Sequence, residues 1–274
     1  MQSITAGAIG LGTHPVALIW ADEAPQGTIR FKPGGWGCVM SAFATVAARG
    51  RAAAFDRGTF GCWGGGVGLG FGNRYEDFPG GVEGFCAFLS SGNEQPAQGC
   101  AIAEHMKAAG WGRMADDFLH GERYLKDPET VRGFLEALPM CDVPARFVVL
   151  KPLDQTVPEQ EDVKSVTFFV DPDRLSALVI LANYAYKDGE NVIMPWAAGC
   201  QVPGIYAYRE LERERPRALV GLTDISARRN VRASLGENVM SFTAPWPLFQ
   251  EMERNVAGGF LERETWRSLR KHSS

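Results

Sequence analysis

Six cysteines carry most of the reactive chemistry in this chain: Cys38, Cys62, Cys86, Cys100, Cys141 and Cys200. The two closest neighbours are Cys86 and Cys100, so the local spacings of zinc ribbons, thioredoxin-like motifs and bacterial ferredoxins are missing. Any thiolate site must therefore be assembled by the fold from distant segments. Cys38 follows a loop of glycines at a predicted helix start, where unpaired N–H groups and the macrodipole favour a thiolate. Cys62 and Cys200 each follow a glycine at the end of a predicted strand, and Cys62 precedes three more glycines. Glycines beside a thiol let backbone amides turn toward sulfur or a bulky inorganic group, the setting of an iron–sulfur cluster or other thiolate-bound metal. Three thiolates would leave one coordination position open for a substrate. The plainer reading is that free cysteine packs as a small hydrophobe. That reading is the expectation for Cys86, Cys100 and Cys141.

Two other segments are candidates for ligand binding. Gly61 to Gly72 (GCWGGGVGLGFG) has enough glycine, notably Gly64, Gly65 and Gly66, for backbone to approach a phosphate or a flat cofactor. It lacks the GK[ST] of a P-loop and misses the G-x-G-x-x-G spacing. Thr223-Asp224-Ile225-Ser226-Ala227-Arg228-Arg229 sets hydroxyls and two guanidinium groups at a helix start, which suits a phosphate or carboxylate; Thr223, Asp224, Ser226, Arg228 and Arg229 are the candidate contacts. Against this, Thr223 or Asp224 could simply cap the helix while the arginines pair with acids. His14, His105, His120 and His272 are scattered, and neither G-x-S-x-G nor H-E-x-x-H occurs, so no catalytic residue is assigned.

The elements that must position these residues repeat an order. Pro15 to Trp20 reads as a strand, Cys38 to Arg49 as a buried helix stopped by Gly50, and Ala52 to Phe55 as a strand running toward Gly61-Cys62. Lys164 to Val170 is a strand and Asp171-Pro172-Asp173 a helix start; the helix runs to a stop at Gly189, and Asn191 to Pro195 leads into Ala198-Gly199-Cys200. Strands are also expected at Ala145 to Leu150 and Arg217 to Leu222. Helices are expected at Pro96 to Ala109, at Asp127 to Leu138, and twice in the tail, broken at Gly258-Gly259. The expectation is an α/β (or α+β) fold with a mixed sheet. It forms a single domain, 1–274, which a degenerate internal duplication would divide into pseudo-repeats of about 10–140 and 145–274. Two βαβ-like units would lay parallel strands side by side and bring both Gly-Cys loops to one sheet edge.

Composition narrows the function classes. With 45% hydrophobic and 22% charged residues the chain is an ordinary globular one. A formal net charge of -4 gives no general attraction to nucleic acid or anionic lipid. No apolar run reaches the length of a membrane span, and the N-terminus lacks the basic flank of a signal peptide, so a cytoplasmic location is expected.

Several segments together resemble the domain of unknown function 169 family. They are Gly61-Cys62 with its glycine tail, Lys151-Pro152-Leu153, FFVDPDRLSALVILANYA from Phe168, AGC at Ala198 to Cys200, GLTDISAR from Gly221 and FLERETW from Phe260. The resemblance implies a bacterial or archaeal protein without an established activity, from a family sometimes joined to ferredoxin-like modules. That association favours redox or iron–sulfur chemistry, although this chain's cysteines lack the spacing of such a module; the resemblance places Cys38, Cys62 and Cys200 inside family-like segments and assigns them no catalytic role. The leading expectation is thus a thiolate-ligated metal or iron–sulfur protein with a small-molecule cleft or a redox partner. The alternatives are a non-catalytic sensor or accessory module for a small anion, and a protein-interaction role with structural cysteines.

Overall fold

The computed structural model describes residues 1–95 and 97–271. Pro96 and His272 lie outside them. The described chain groups into two compact units, one made of Met1–Gly72 with the chain from Cys141 onward, the other of Asn73–Met140.

In the larger unit, α1 (Ile4–Ile9) precedes β1 (Val16–Ala21), α2 (Val39–Arg49), β2 (Ala53–Phe55) and α3 (Trp63–Leu69). The smaller unit holds α4 (Gly81–Leu89), α5 (Ala97–Ala108), α6 (Gly112–His120) and α7 (Pro128–Ala137). The larger unit resumes with β3 (Phe147–Pro152), β4 (Asp162–Val170), α8 (Pro172–Asn183), β5 (Val192–Ile193), a π-helical turn at Val202–Tyr206 and α9 (Ala207–Leu211). It closes with β6 (Ala218–Gly221), α10 (Ile225–Leu235), β7 (Met240–Pro245), α11 (Trp246–Arg254) and α12 (Glu264–Lys271).

The strands form one seven-stranded sheet in the order β2-β3-β1-β4-β7-β6-β5. Neighbours are antiparallel except β5 and β6, so the sheet is mixed and the protein is α/β. The strands of the two expected βαβ-like units, β1 with β2 and β4 with β5, do not lie side by side. β3, arriving after the smaller unit, pairs with both β1 and β2 and separates them; β7 and β6 separate β4 from β5. Twice, therefore, a later strand enters between two earlier ones, in β1-β3-β2 and in β4-β7-β6.

Because side chains alternate across a strand, the sheet has two buried faces. One carries Ala17, Val149, Val166, Phe168, Val220, Phe242 and Ala244, packed with Leu178 and Leu181 of α8 and Phe249 and Met252 of α11. The other takes α2, whose Phe43 ring meets Phe169 at 6.5 Å, and the π-helical turn, where the buried Ser165 hydroxyl donates to the Pro203 carbonyl at 2.8 Å. The cysteine-bearing segments lie on this second side.

Several boundaries follow local chemistry. Gly50 ends α2 in the left-handed region (φ 65), its N–H bonded to the Val46 carbonyl. Asp171 caps α8 by accepting from the Arg174 N–H at 2.9 Å. That helix stops at Asn183 rather than Gly189, because the Asn183 side chain turns to accept the Asn191 N–H at 2.8 Å. The smaller unit has its own aromatic core, with Tyr75 stacked on Phe85 at 3.9 Å and Phe78 beside Phe118 at 5.9 Å. Among the described residues no helix is long and apolar enough to cross a membrane.

Candidate functional site

Cys38 occupies the N-cap position of α2 and Cys62 that of α3. Their loops are joined directly, since the Cys62 N–H donates to the Gly37 carbonyl at 3.0 Å. The glycine-rich segment, expected as a loop, is the helix α3. The Cys62 sulfur accepts the Gly65 N–H at 3.3 Å and Gly70, at φ 88, closes the other end. Intrinsic propensity opposes this helix, for each glycine costs roughly 0.5–1 kcal/mol relative to alanine. Packing explains it. A Cβ on Gly65 would stand 2.7 Å from Val39 and 2.9 Å from the Phe60 carbonyl oxygen, and one on Gly68 would stand 2.9–3.0 Å from Cys200. Only a bare helix lets the backbone carrying Cys200 approach this closely.

Cys200, 6% exposed, arrives on the segment before the π-helical turn, and its thiol donates to the Gly64 carbonyl at 3.2 Å. Thus three segments far apart in sequence bring their sulfurs within electrostatic range of one another. The pKa shifts record the convergence. Burial first, then Cys38, pushes the Cys62 thiol up to about 12 against the pull of the Gly65 N–H. Burial, then Cys62 and Cys38, raises Cys200 well above the ordinary thiol value. Cys38 is raised by burial, while the N–H groups of Ser41 and Met40 oppose the shift. All three are free thiols.

Asp224 belongs to the same place. It adds to the upward shift of each of the three thiols, and burial raises its own carboxyl against the N–H groups of Gly199, Ala227 and Ser226 and the charge of Arg229. One carboxylate oxygen caps α10 by accepting the Ser226 N–H at 2.9 Å; the other accepts the Gly199 N–H at 3.3 Å. The turn that delivers it includes Leu222 in the left-handed region (φ 61), an uncommon state for leucine that its buried side chain maintains. Gly199 permits the contact, for a Cβ there would stand 2.7 Å from Ala227 and 3.0 Å from Met40.

The remaining candidates fall elsewhere. Gly64, Gly65 and Gly66 do not form a phosphate loop: the Gly65 and Gly66 N–H groups serve Cys62, and the Gly64 carbonyl serves Cys200. The Thr223 hydroxyl donates to the Pro195 carbonyl at 3.3 Å, and Ser226 lends Asp224 its backbone N–H. Arg228 turns to the carbonyls of Val239 (2.9 Å) and Glu237 (3.0 Å), so its guanidinium secures the turn between α10 and β7. Arg229 is exposed beside Asp224. Cys86 is buried in the smaller unit and Cys100 is exposed there; burial pushes Cys141 up to about 11. Trp36, two residues before Cys38, is 46% exposed.

The donor set can be tested against a metal. Three thiols with a carboxylate, once deprotonated, suit a soft or borderline cation. Among the described residues, however, no group of three or more His, Cys, Asp or Glu side chains is arranged to hold a single metal ion.

The model of one protein family, DUF169, described as Uncharacterised ArCR, matches residues 6–255 of the 274. The chain belongs to the DUF169 family. Cys38, Cys62, Cys200 and Asp224 all lie inside the matched span. Neither a curated protein nor a solved structure matches the chain.

Proposed function

We propose that this DUF169 protein is a redox-related protein in which Cys38, Cys62 and Cys200 ligate an iron–sulfur cluster serving a redox partner or a small molecule. The supporting observation is the meeting of three thiols from three separate segments beside a carboxylate.

The residues have identifiable tasks in this reading. Burial and mutual repulsion keep the thiols protonated, and Cys38, Cys62 and Cys200 would hold iron as thiolates, whose deprotonation the metal's charge would favour. The Gly65 N–H bonds the Cys62 sulfur and stabilises negative charge on it, and such bonds tune a cluster's potential. The glycines of α3 keep bulk away from the sulfurs. When bound, the cluster would supply electron transfer. Free thiols suit the reducing conditions of the cytoplasm, where we place the protein.

Anaerobic purification and reconstitution with iron and sulfide test the proposal through the visible absorption spectrum and metal analysis. The expected result is a brown protein with stoichiometric iron and sulfide, lost in Cys62→Ser and Cys200→Ser and retained in Cys86→Ser. A wild-type protein free of iron and sulfide would overturn it, as would unchanged iron in Cys62→Ser.

A further inference from the structure

We infer that Cys38 and Cys62 form a reversible thiol–disulfide pair that exchanges with a low-molecular-weight disulfide. The inference concerns the iron-free protein and does not need the cluster reading, because the pairing is a property of the two loops themselves.

Two Gly-Cys dipeptides lie against one another. The Cys62 N–H donates to the Gly37 carbonyl at 3.0 Å. With standard peptide dimensions this bond keeps the Cα atoms of Cys38 and Cys62 within about 7 Å, and disulfides span Cα separations of roughly 4.4–6.8 Å. The glycines permit the approach. Gly61 takes a left-handed backbone (φ 80), and a Cβ on it would meet the Gly37 carbonyl oxygen and stand 2.6 Å from the Phe31 ring. A Cβ on Gly37 would meet the same ring. One aromatic ring thus covers both glycines, and a side chain on either would part the loops. The Cys62 sulfur is turned toward α2: a Cβ on Gly65 would stand 3.4 Å from that sulfur and 2.7 Å from Val39, the residue after Cys38.

Cys200 is set apart from this pair. Its thiol donates to the Gly64 carbonyl at 3.2 Å, while the Cys62 sulfur accepts the Gly65 N–H at 3.3 Å. That carbonyl and that N–H belong to one trans peptide group and point in opposite directions. The peptide therefore stands between the two sulfurs, which cannot bond while both hydrogen bonds hold.

Cys38 and Cys62 are half-buried, whereas Cys200 is buried. The Cys38 thiolate attacks one sulfur of the small disulfide and breaks its S–S bond, so that one thiol leaves and a mixed disulfide remains on Cys38. The Cys62 thiolate then attacks the Cys38 sulfur, closes the internal S–S bond and expels the second thiol. Two electrons pass from the protein to the small disulfide, and the protons given up by Cys38 and Cys62 end on the two released thiols. The first step assists the second: burial is the main cause of the raised Cys62 thiol and Cys38 the next, and a Cys38 already bonded to sulfur carries no charge. In a reducing compartment such a bond is transient and follows the oxidation state of the thiol pool. While it is closed, neither sulfur is free to hold iron.

The test uses the full chain, freed of iron, reduced, and then equilibrated with oxidised glutathione. Acid quenching, alkylation and peptide mass spectrometry read which cysteines are joined. The expected result is a Cys38–Cys62 link in wild type and in Cys200→Ser, reopened by dithiothreitol, with Cys62→Ser stopping at one glutathione on Cys38. A wild type that leaves Cys38 and Cys62 unlinked while exposed Cys100 takes up glutathione would overturn the inference, as would a link from either cysteine to Cys200. The wild-type result decides the matter even where a variant fails to fold. Iron and sulfide content is not read here, so failure of this pair leaves the cluster reading to its own reconstitution, and failure of that reconstitution leaves this pair intact.

Discussion

Replacing Gly68 with alanine measures how closely α3 must approach Cys200. In an unconstrained helix this change stabilises by roughly 0.5–1 kcal/mol. At Gly68 the new methyl carbon would stand 2.9 Å from the Cys200 carbonyl carbon and 3.0 Å from both its oxygen and its sulfur. Carbon contacts are comfortable at about 3.5–4.0 Å, so α3 and the Cys200 backbone must part by several tenths of an ångström. Overpacking of this kind costs about 1–3 kcal/mol. Less the propensity gain, the net loss is about 1–2 kcal/mol, a fall in Tm of roughly 2–8 °C for a protein of this size. Gly133→Ala is the control, since Gly133 lies in α7 with nothing within 4 Å of the added atom; that variant should gain the full propensity term. Thermal unfolding followed by circular dichroism compares the two. If Gly68→Ala were stabilised as Gly133→Ala is, the account of α3 as a helix of glycines demanded by Cys200 would be wrong.

Two further outcomes follow from the titration of buried groups. A thiol with its pKa at about 12 is about one part in ten thousand thiolate at pH 8, so iodoacetamide at that pH should modify exposed Cys100 quickly and Cys62 hardly at all; mass spectrometry showing comparable rates would contradict the burial argument. Glu210 is fully buried, yet hydrogen bonds from Arg217 outweigh burial and hold its carboxyl below the usual value of 4.5. Its folded pKa lies below its unfolded one, so its contribution is present above about pH 4.5 and lost as pH falls through the folded value. Glu210→Gln should cost about 1.5–3 kcal/mol near neutral pH and shrink the acid-induced loss of stability. Denaturant melts at pH 7 and pH 3 that showed the same difference between the two proteins would refute this.

The legibility of the sequence varied with how local each cause was. Gly50 announces the end of α2 and Asp171-Pro172 the start of α8, because capping depends on residues next to one another. A glycine directly precedes each of Cys38, Cys62 and Cys200 and likewise marked these thiols along the chain, together with Cys100. The smaller unit was only half visible: α5 and α7 were expected, while α4 and α6 carried no signal strong enough to read. Strand β7 escaped notice although Met240-Ser-Phe-Thr-Ala-Pro245 alternates apolar with polar residues, because the run is short and ends in proline; its place between β4 and β6 makes it a strand. α3 was misread for a similar reason, as its glycines argue locally for a loop and make sense as a helix only against Cys200.

Arg228 and Asp224 separate the two kinds of information most sharply. Residue types alone made both candidates for an anion site, since guanidinium groups and a capped helix start commonly serve one. Folding turns Arg228 toward the carbonyls of Val239 and Glu237 and sets Asp224 within electrostatic range of the three thiols. What the sequence determined by itself was the set of helix caps, most of the strands, the α/β class, and the identity of the thiols worth following. Each of these depends on neighbours along the chain or on hydrophobic periodicity. The convergence of Cys38, Cys62, Cys200 and Asp224 was decided only in the tertiary structure, because proximity across as many as 186 residues comes from sheet order and backbone packing and leaves no mark in local spacing.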